Sequence, residues 1–161
     1  MSEPGRHSRD GQILSEALRR IRRLRDLSAA EVAGRMNISL RTYQDFEAGR
    51  YRLNEDYVHR FAAATDSDPQ AILHAVRIGA PNLALWCADN KLLTIFEIEL
   101  QRFYDRAGER IRTLEPREVI VSLSAMFEAC DDESQNRQTS VDNWLEEGRK
   151  ALRRRRPKPG Q

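Results

Sequence analysis

Cysteine is nearly absent from this chain: Cys87 and Cys130 are the only two in 161 residues, each set in an apolar helical pattern. Two lone thiols exclude a disulfide-stapled secreted domain and fit a reducing cytoplasm. A regulatory disulfide and a pair of buried packing cysteines are both open, and the apolar settings favour burial. Histidine is as sparse. His7, His59 and His74 are far apart, with no Cys or carboxylate companions at metal-ligand spacing, so no metal is expected. No apolar run approaches the ~20 residues that span a bilayer, and the first residues lack the apolar core of a secretion signal. There is no glycine-rich phosphate loop, and no cofactor is expected. Gly (8) and Pro (6) are few and alternating strand-like runs almost missing, which together predict an all-α chain. Arginine far outnumbers lysine, a usage associated with GC-rich bacterial genomes.

What the chain has in plenty is charge, unevenly placed. Residues 1–80 carry 13 basic and 11 acidic side chains, residues 81–148 carry 7 and 14, and residues 149–161 carry 7 and none. The positive charge therefore lies in the first half and the extreme tail, with an acidic region between.

The most informative stretch runs from Ser28 to Gly49. Ser28 with Glu31 forms a capping box, each side chain satisfying an orphaned backbone N–H at a helix start. Val32, Ala33 and Met36 supply an apolar face for a helix over 29–36. Asn37 tolerates the left-handed backbone of a tight turn, and Ser39 is an N-cap for a second helix over 40–47. At roughly 100° per residue, Leu40, Arg41, Gln44 and Asp45 share one arc, and Thr42, Tyr43, Phe46 and Glu47 the other. The aromatics must be buried, so the polar arc faces outward. A short helix presented in this way fits the major groove of DNA; a merely solvated polar face is the plain alternative.

The flanks continue the pattern. Ile13, Leu14, Ala17, Leu18 and Ile21 repeat at helical spacing upstream. Downstream, Asn54 caps a helix whose Tyr57, Val58, Phe61 and Ala62 point inward, and Asp68-Pro69 starts another through Ile72, Leu73 and Val76. Five short helices over residues 11–76 resemble the Cro/C1-type (XRE-family) helix-turn-helix domain of phage and bacterial repressors. Ile21-Arg22 through Leu27-Ser28, then Val32-Ala33 and Met36-Asn-Ile-Ser39, then Tyr43, Phe46, Glu47 and Gly49 carry the resemblance. Asn37 and Asp26 stand where the family often has Gly, and Ala29 where it often has a polar phosphate contact.

The resemblance implies a five-helix lambda-repressor-like DNA-binding domain over 11–79, with Arg22 and Glu47 paired and Tyr43 and Phe46 in support. Base reading falls to Leu40, Arg41, Gln44 and Asp45. Arg41 suits guanine O6/N7, Gln44 an adenine edge or a phosphate, Asp45 cytosine N4 and Leu40 a thymine methyl. Positioning on phosphates falls to Ser28, Ala29, Ser39, Thr42, Arg35, Arg50 and Arg52, with Arg19, Arg20, Arg23 and Arg60 as further candidates.

No family is recognised beyond Gly79-Ala-Pro81. Residues 81–152 read as a separate acidic helical domain: an apolar segment at Leu83–Trp86, a helix over 91–107, and one from Pro116 ending near Cys130. A loop over 131–139 and a last helix capped by Thr139 or Ser140 follow. Such a domain can hold a homodimer together or receive a ligand or a protein partner. Residues 1–10 are expected to be a flexible N-terminus and 153–161 a basic disordered tail. A self-cleaving Ser/Lys protease half is disfavoured, because that fold is strand-rich while Ser122 and Ser124 lie in a helical pattern. The expected protein is therefore no enzyme. It is a cytoplasmic, bacterial, nucleoid-associated regulator whose partners are double-stranded DNA and a second copy, with no membrane. An antitoxin of a toxin–antitoxin pair and a protein-interaction adaptor of the same helical fold are the alternatives.

Overall fold

The computed structural model describes the backbone of residues 9–155 and the side chains of residues 9–147. Among the described residues there is no strand, so the fold is all-α. The chain divides into two units at Arg106/Ala107.

The first unit opens with α1 (Arg9–Leu24), which buries Leu14, Ala17, Leu18 and Ile21 along one face. It stops because Asp26 turns left-handed (φ 52) and the Leu27 N–H reaches back to the Arg22 carbonyl at 3.1 Å. Then come α2 (Ala29–Met36), α3 (Leu40–Glu47), α4 (Glu55–Thr65) and α5 (Pro69–Ile78). Their starts are capped as the residues dictate. Ser28 and Glu31 close a full capping box, and Ser39, Asn54 and Asp68 each accept from the N–H three residues on. The α2–α3 turn passes through Asn37 at φ 55, ψ 47.

These helices enclose one core. Tyr43, Phe61, Leu18, Ile21, Ile72, Val32 and Val58 are fully buried within it; burying one such apolar side chain contributes about 1.5–3 kcal/mol. Tyr43 stacks on Phe61 at 6.5 Å, and Phe46 meets Tyr57 edge-on at 5.5 Å. Gly49 ends the segment after α3 at φ +67, and a Cβ there would lie 2.0 Å from the Gly11 carbonyl oxygen. Only glycine fits that approach between the α3 end and the start of α1.

The core does not stop at residue 79. Helix α6 (Pro81–Trp86) packs on α1 and α5 and buries Ala84, while Cys87 and Ala88 just beyond it are also buried. Pro81 thus starts a helix of the first unit. Asn82 accepts a hydrogen bond from Arg20 of α1. The first turn of helix α7 (Leu92–Ala107) is tied to the first unit through Asp68. The fully buried Asp68 carboxylate caps α5 through Ala71 N–H (3.1 Å). It also accepts from Leu93 N–H (2.9 Å), Thr94 N–H (3.2 Å) and the Thr94 hydroxyl (2.6 Å). One carboxylate therefore caps two helices.

The second unit holds a 3-10 turn (Gly108–Thr113) and α8 (Pro116–Arg155), a single helix of 40 residues. The loop expected at 131–139 and a separate last helix do not exist. That segment is polar but contains no Gly or Pro to break a helix. It is laced along one turn by Gln135–Asp131 (2.9 Å) and Gln138–Asp142 (3.1 Å) hydrogen bonds. Cys130 is exposed on this helix, against the expectation of two buried thiols; Cys87 alone is buried. The backbone is helical at Arg9 and Asp10 and again at 153–155. The rest of the expected flexible N-terminus and basic tail, residues 1–8 and 156–161, lies outside the described residues.

Candidate nucleic-acid interface

Helix α3 is built to be held from behind and open in front. At its C-terminal end Glu47 is buried and accepts three hydrogen bonds: Arg22 Nε at 2.6 Å, Arg22 Nη2 at 3.2 Å and the Tyr43 hydroxyl at 2.8 Å. Arg22 Nη1 also donates to the Leu27 carbonyl at 3.1 Å, so α1, the α1–α2 turn and α3 meet at one guanidinium. The Glu47 hydrogen bonds hold Arg22 more firmly protonated than an ordinary arginine. Burial, then the Glu47 carboxylate, pushes the Tyr43 phenol well above its ordinary range. With Phe46 in the core, α3 cannot roll about its axis without breaking this network.

On the front, Arg41 and Gln44 are exposed and Leu40 is 43% exposed. The side chains of Arg41 and Gln44 make no hydrogen bond or ion pair among the described residues, which leaves their donors available to a ligand. Thr42 is half-buried and bonded to the Ser39 hydroxyl (2.7 Å), so both side chains serve the cap of α3. Ser28 is likewise engaged with Glu31 (2.8 and 3.2 Å). Ala29 is half-buried against the core, and only the backbone N–H groups of that first turn can donate there. Arg35 sits at the other end of α2, donating to the Ala64 carbonyl at 3.1 Å.

Asp45 lies where the sequence did not place it. Its side chain is only 14% exposed and is ion-paired with Arg50 at 2.5 Å. It also accepts a hydrogen bond from the Tyr51 hydroxyl at 3.3 Å. Asp45 shares the helical arc of Arg41 and Gln44, but the loop after α3 folds back over this carboxylate. Tyr51, half exposed between Arg50 and Arg52, was overlooked in the sequence; its only signal was its place between two arginines. Arg50 also closes an open cleft of about 600 Å³ between α1 and the end of α3, lined by Arg19, Arg20 and Arg23 with Gln12, Ser15 and Glu16. Arg20 there is paired with Glu16.

The element order and the open front of α3 over a buried brace fit one kind of domain. The family model of a helix-turn-helix domain matches residues 13–75. Residues 13–75 are a helix-turn-helix domain of the Cro/C1 (XRE) kind. This is a DNA-binding module, and catalysis is not its usual business. The match spans α2, α3 and the core around them, and ends before α6. No curated protein and no solved structure matches the chain. Among the described residues no helix is long and apolar enough to cross a membrane, and no group of three or more His, Cys, Asp or Glu could hold a metal ion.

Proposed function

We propose that this chain is a sequence-specific DNA-binding transcriptional regulator, a homodimeric repressor that reads a two-fold-symmetric operator through α3. The observation that carries the reading is the pairing of an open Arg41/Gln44 front with the buried Arg22–Glu47–Tyr43 brace behind it. Preorganised donors discriminate between bases because they arrive at the groove without reordering. Leu40 stands beside them to meet a thymine methyl. Asp45 acts through Arg50 and Tyr51, orienting the loop toward the DNA backbone rather than reading cytosine itself. Arg50 and Arg52 supply phosphate contacts, with Ser28, Ala29, Ser39 and Thr42 setting the two helix starts that approach the backbone. Two copies are invoked because one such unit contacts too few base pairs to select a site in a genome, and paired units bind half-sites set by their spacing. Repression is the simplest outcome, needing only occupancy of a promoter in the bacterial cytoplasm. Selection of sheared genomic DNA by the purified protein at ~0.15 M salt, a concentration that suppresses weak phosphate-only binding, tests the reading. A short two-fold-symmetric motif is expected, and enrichment of no motif would overturn it.

A further inference from the structure

Helix α8 is a helix without a core. None of its described side chains is buried, and Ile120 (65%), Phe127 (49%), Val141 (53%) and Trp144 (72%) stand open to solvent. A helix of this length keeps its shape in water mainly through packing of an apolar face. At 100° per residue, Ile120, Leu123, Phe127, Cys130, Ser134, Arg137, Val141, Trp144 and Leu145 fall in one arc roughly 120° wide. The stripe is apolar at both ends and polar in the middle.

We propose that α8 pairs antiparallel with α8 of a second copy, the two-fold axis passing between Gln135 and Asn136. This deepens the two-copy reading above and rests on it. The stripe repeats as layers whose residue numbers sum to about 271 across the pair. Phe127 meets Trp144 of the other copy, Cys130 meets Val141, and Ser134 meets Arg137, with Glu133 beside that guanidinium. Charge selects this direction over the parallel one. In-register parallel helices would set Asp131, Asp132 and Glu133 against their own copies. Antiparallel pairing sets the three acids beside Gln138, Thr139 and Ser140 instead. A 40-residue helix is about 60 Å long. The stripe from Ile120 to Leu145 takes up about 39 Å of that length, and at roughly 10 Å wide it covers ~400 Å² per copy, ~800 Å² for two, the size of a weak, reversible pair.

Disulfide trapping of the full-length protein without DNA tests the pairing. The native Cys130 lies 11 positions along the sequence from Val141, so the two copies' Cys130 residues stand ~16 Å apart along the pair. That is too far for a disulfide. In the V141C chain, Cys130 of one copy is expected to bond the introduced thiol of the other. This bond should form at least ~10-fold faster than the parent chain forms any dimeric bond, as neighbouring thiols in a complex have millimolar effective concentration. A second pair, F127C with W144C in a C130A chain, repeats the test at an independent layer, and peptide mapping identifies the bond. Efficient Cys130–Cys130 bonding in the parent chain overturns the antiparallel direction while leaving the two-copy reading intact. A chain that sediments as a monomer at ~10 µM and traps neither pair overturns both. DNA selection through α3 is a separate measurement and does not depend on either result.

Discussion

Replacing Glu47 with alanine removes the one acceptor that three donors share. The Tyr43 hydroxyl, on a fully buried residue, loses the acceptor of its own proton, the Glu47 carboxylate at 2.8 Å; an unsatisfied buried donor costs about 1–3 kcal/mol. Arg22 loses a two-pronged ion pair. Breaking a fully buried pair costs about 3–5 kcal/mol, but the Arg22 side chain is 20% exposed and keeps its bond to the Leu27 carbonyl, which lowers its share. The two losses overlap, since both groups address one carboxylate, so the expected cost for E47A is about 3–5 kcal/mol. Tyr43→Phe removes a donor and leaves the ion pair whole, and should cost about 1 kcal/mol. Urea unfolding at neutral pH reads both, and the double variant should reveal a coupling of about 1–2 kcal/mol, as expected of residues in one network. An E47A cost below about 1 kcal/mol, or no coupling to Tyr43, would refute the claim that this carboxylate braces α3.

The same network gives an alkaline signature. The Tyr43 phenol is raised in the folded protein by burial and then by Glu47, so its stabilising effect is complete below the unfolded value near 10. That effect declines as pH rises from there toward the folded value, by up to about 1.4 kcal/mol per pH unit. Unfolding measured from about pH 9.5 upward should show this added slope in the parent chain and not in Tyr43→Phe; equal slopes would contradict it. Asp68→Ala should cost about 1–4 kcal/mol, since two helix caps go with one side chain, and should speed amide exchange at Leu93 and Thr94. Unchanged exchange at those amides would show that α7 is held by something else.

The first unit was legible where a side chain acts on its own neighbours. Ser28 with Glu31, Ser39, Asn54 and Asp68-Pro69 announce helix starts within three or four residues, and Asn37 announces its left-handed turn the same way. Partners that lie outside the helix carrying a residue leave no such mark. The arc bearing Asp45 was readable from helical angle, but not the return of Arg50 and Tyr51 over it. The reach of Asp68 to Leu93 and Thr94 spans 25 and 26 residues, and that contact carries the first unit beyond the Gly79-Ala-Pro81 boundary the sequence suggests. The polar run at 131–139 looked like a loop because it lacks apolar residues. Lacking helix breakers as well, it continues α8, and composition alone could not choose between the two. Cys130 is exposed for a related reason: its apolar neighbours line a stripe that no part of the described chain buries.

The measurement closest to the central claim compares the affinity of the parent chain and of Arg41→Ala for the selected motif and for a scrambled duplex, at one salt concentration. A bidentate arginine–guanine contact is worth about 1–3 kcal/mol of discrimination. Arg41→Ala should therefore lose roughly 5- to 150-fold on the motif, with little change on the scrambled sequence, while Arg52→Ala weakens both alike, as a phosphate contact does. Equal losses on motif and scramble for Arg41→Ala would contradict base reading by α3.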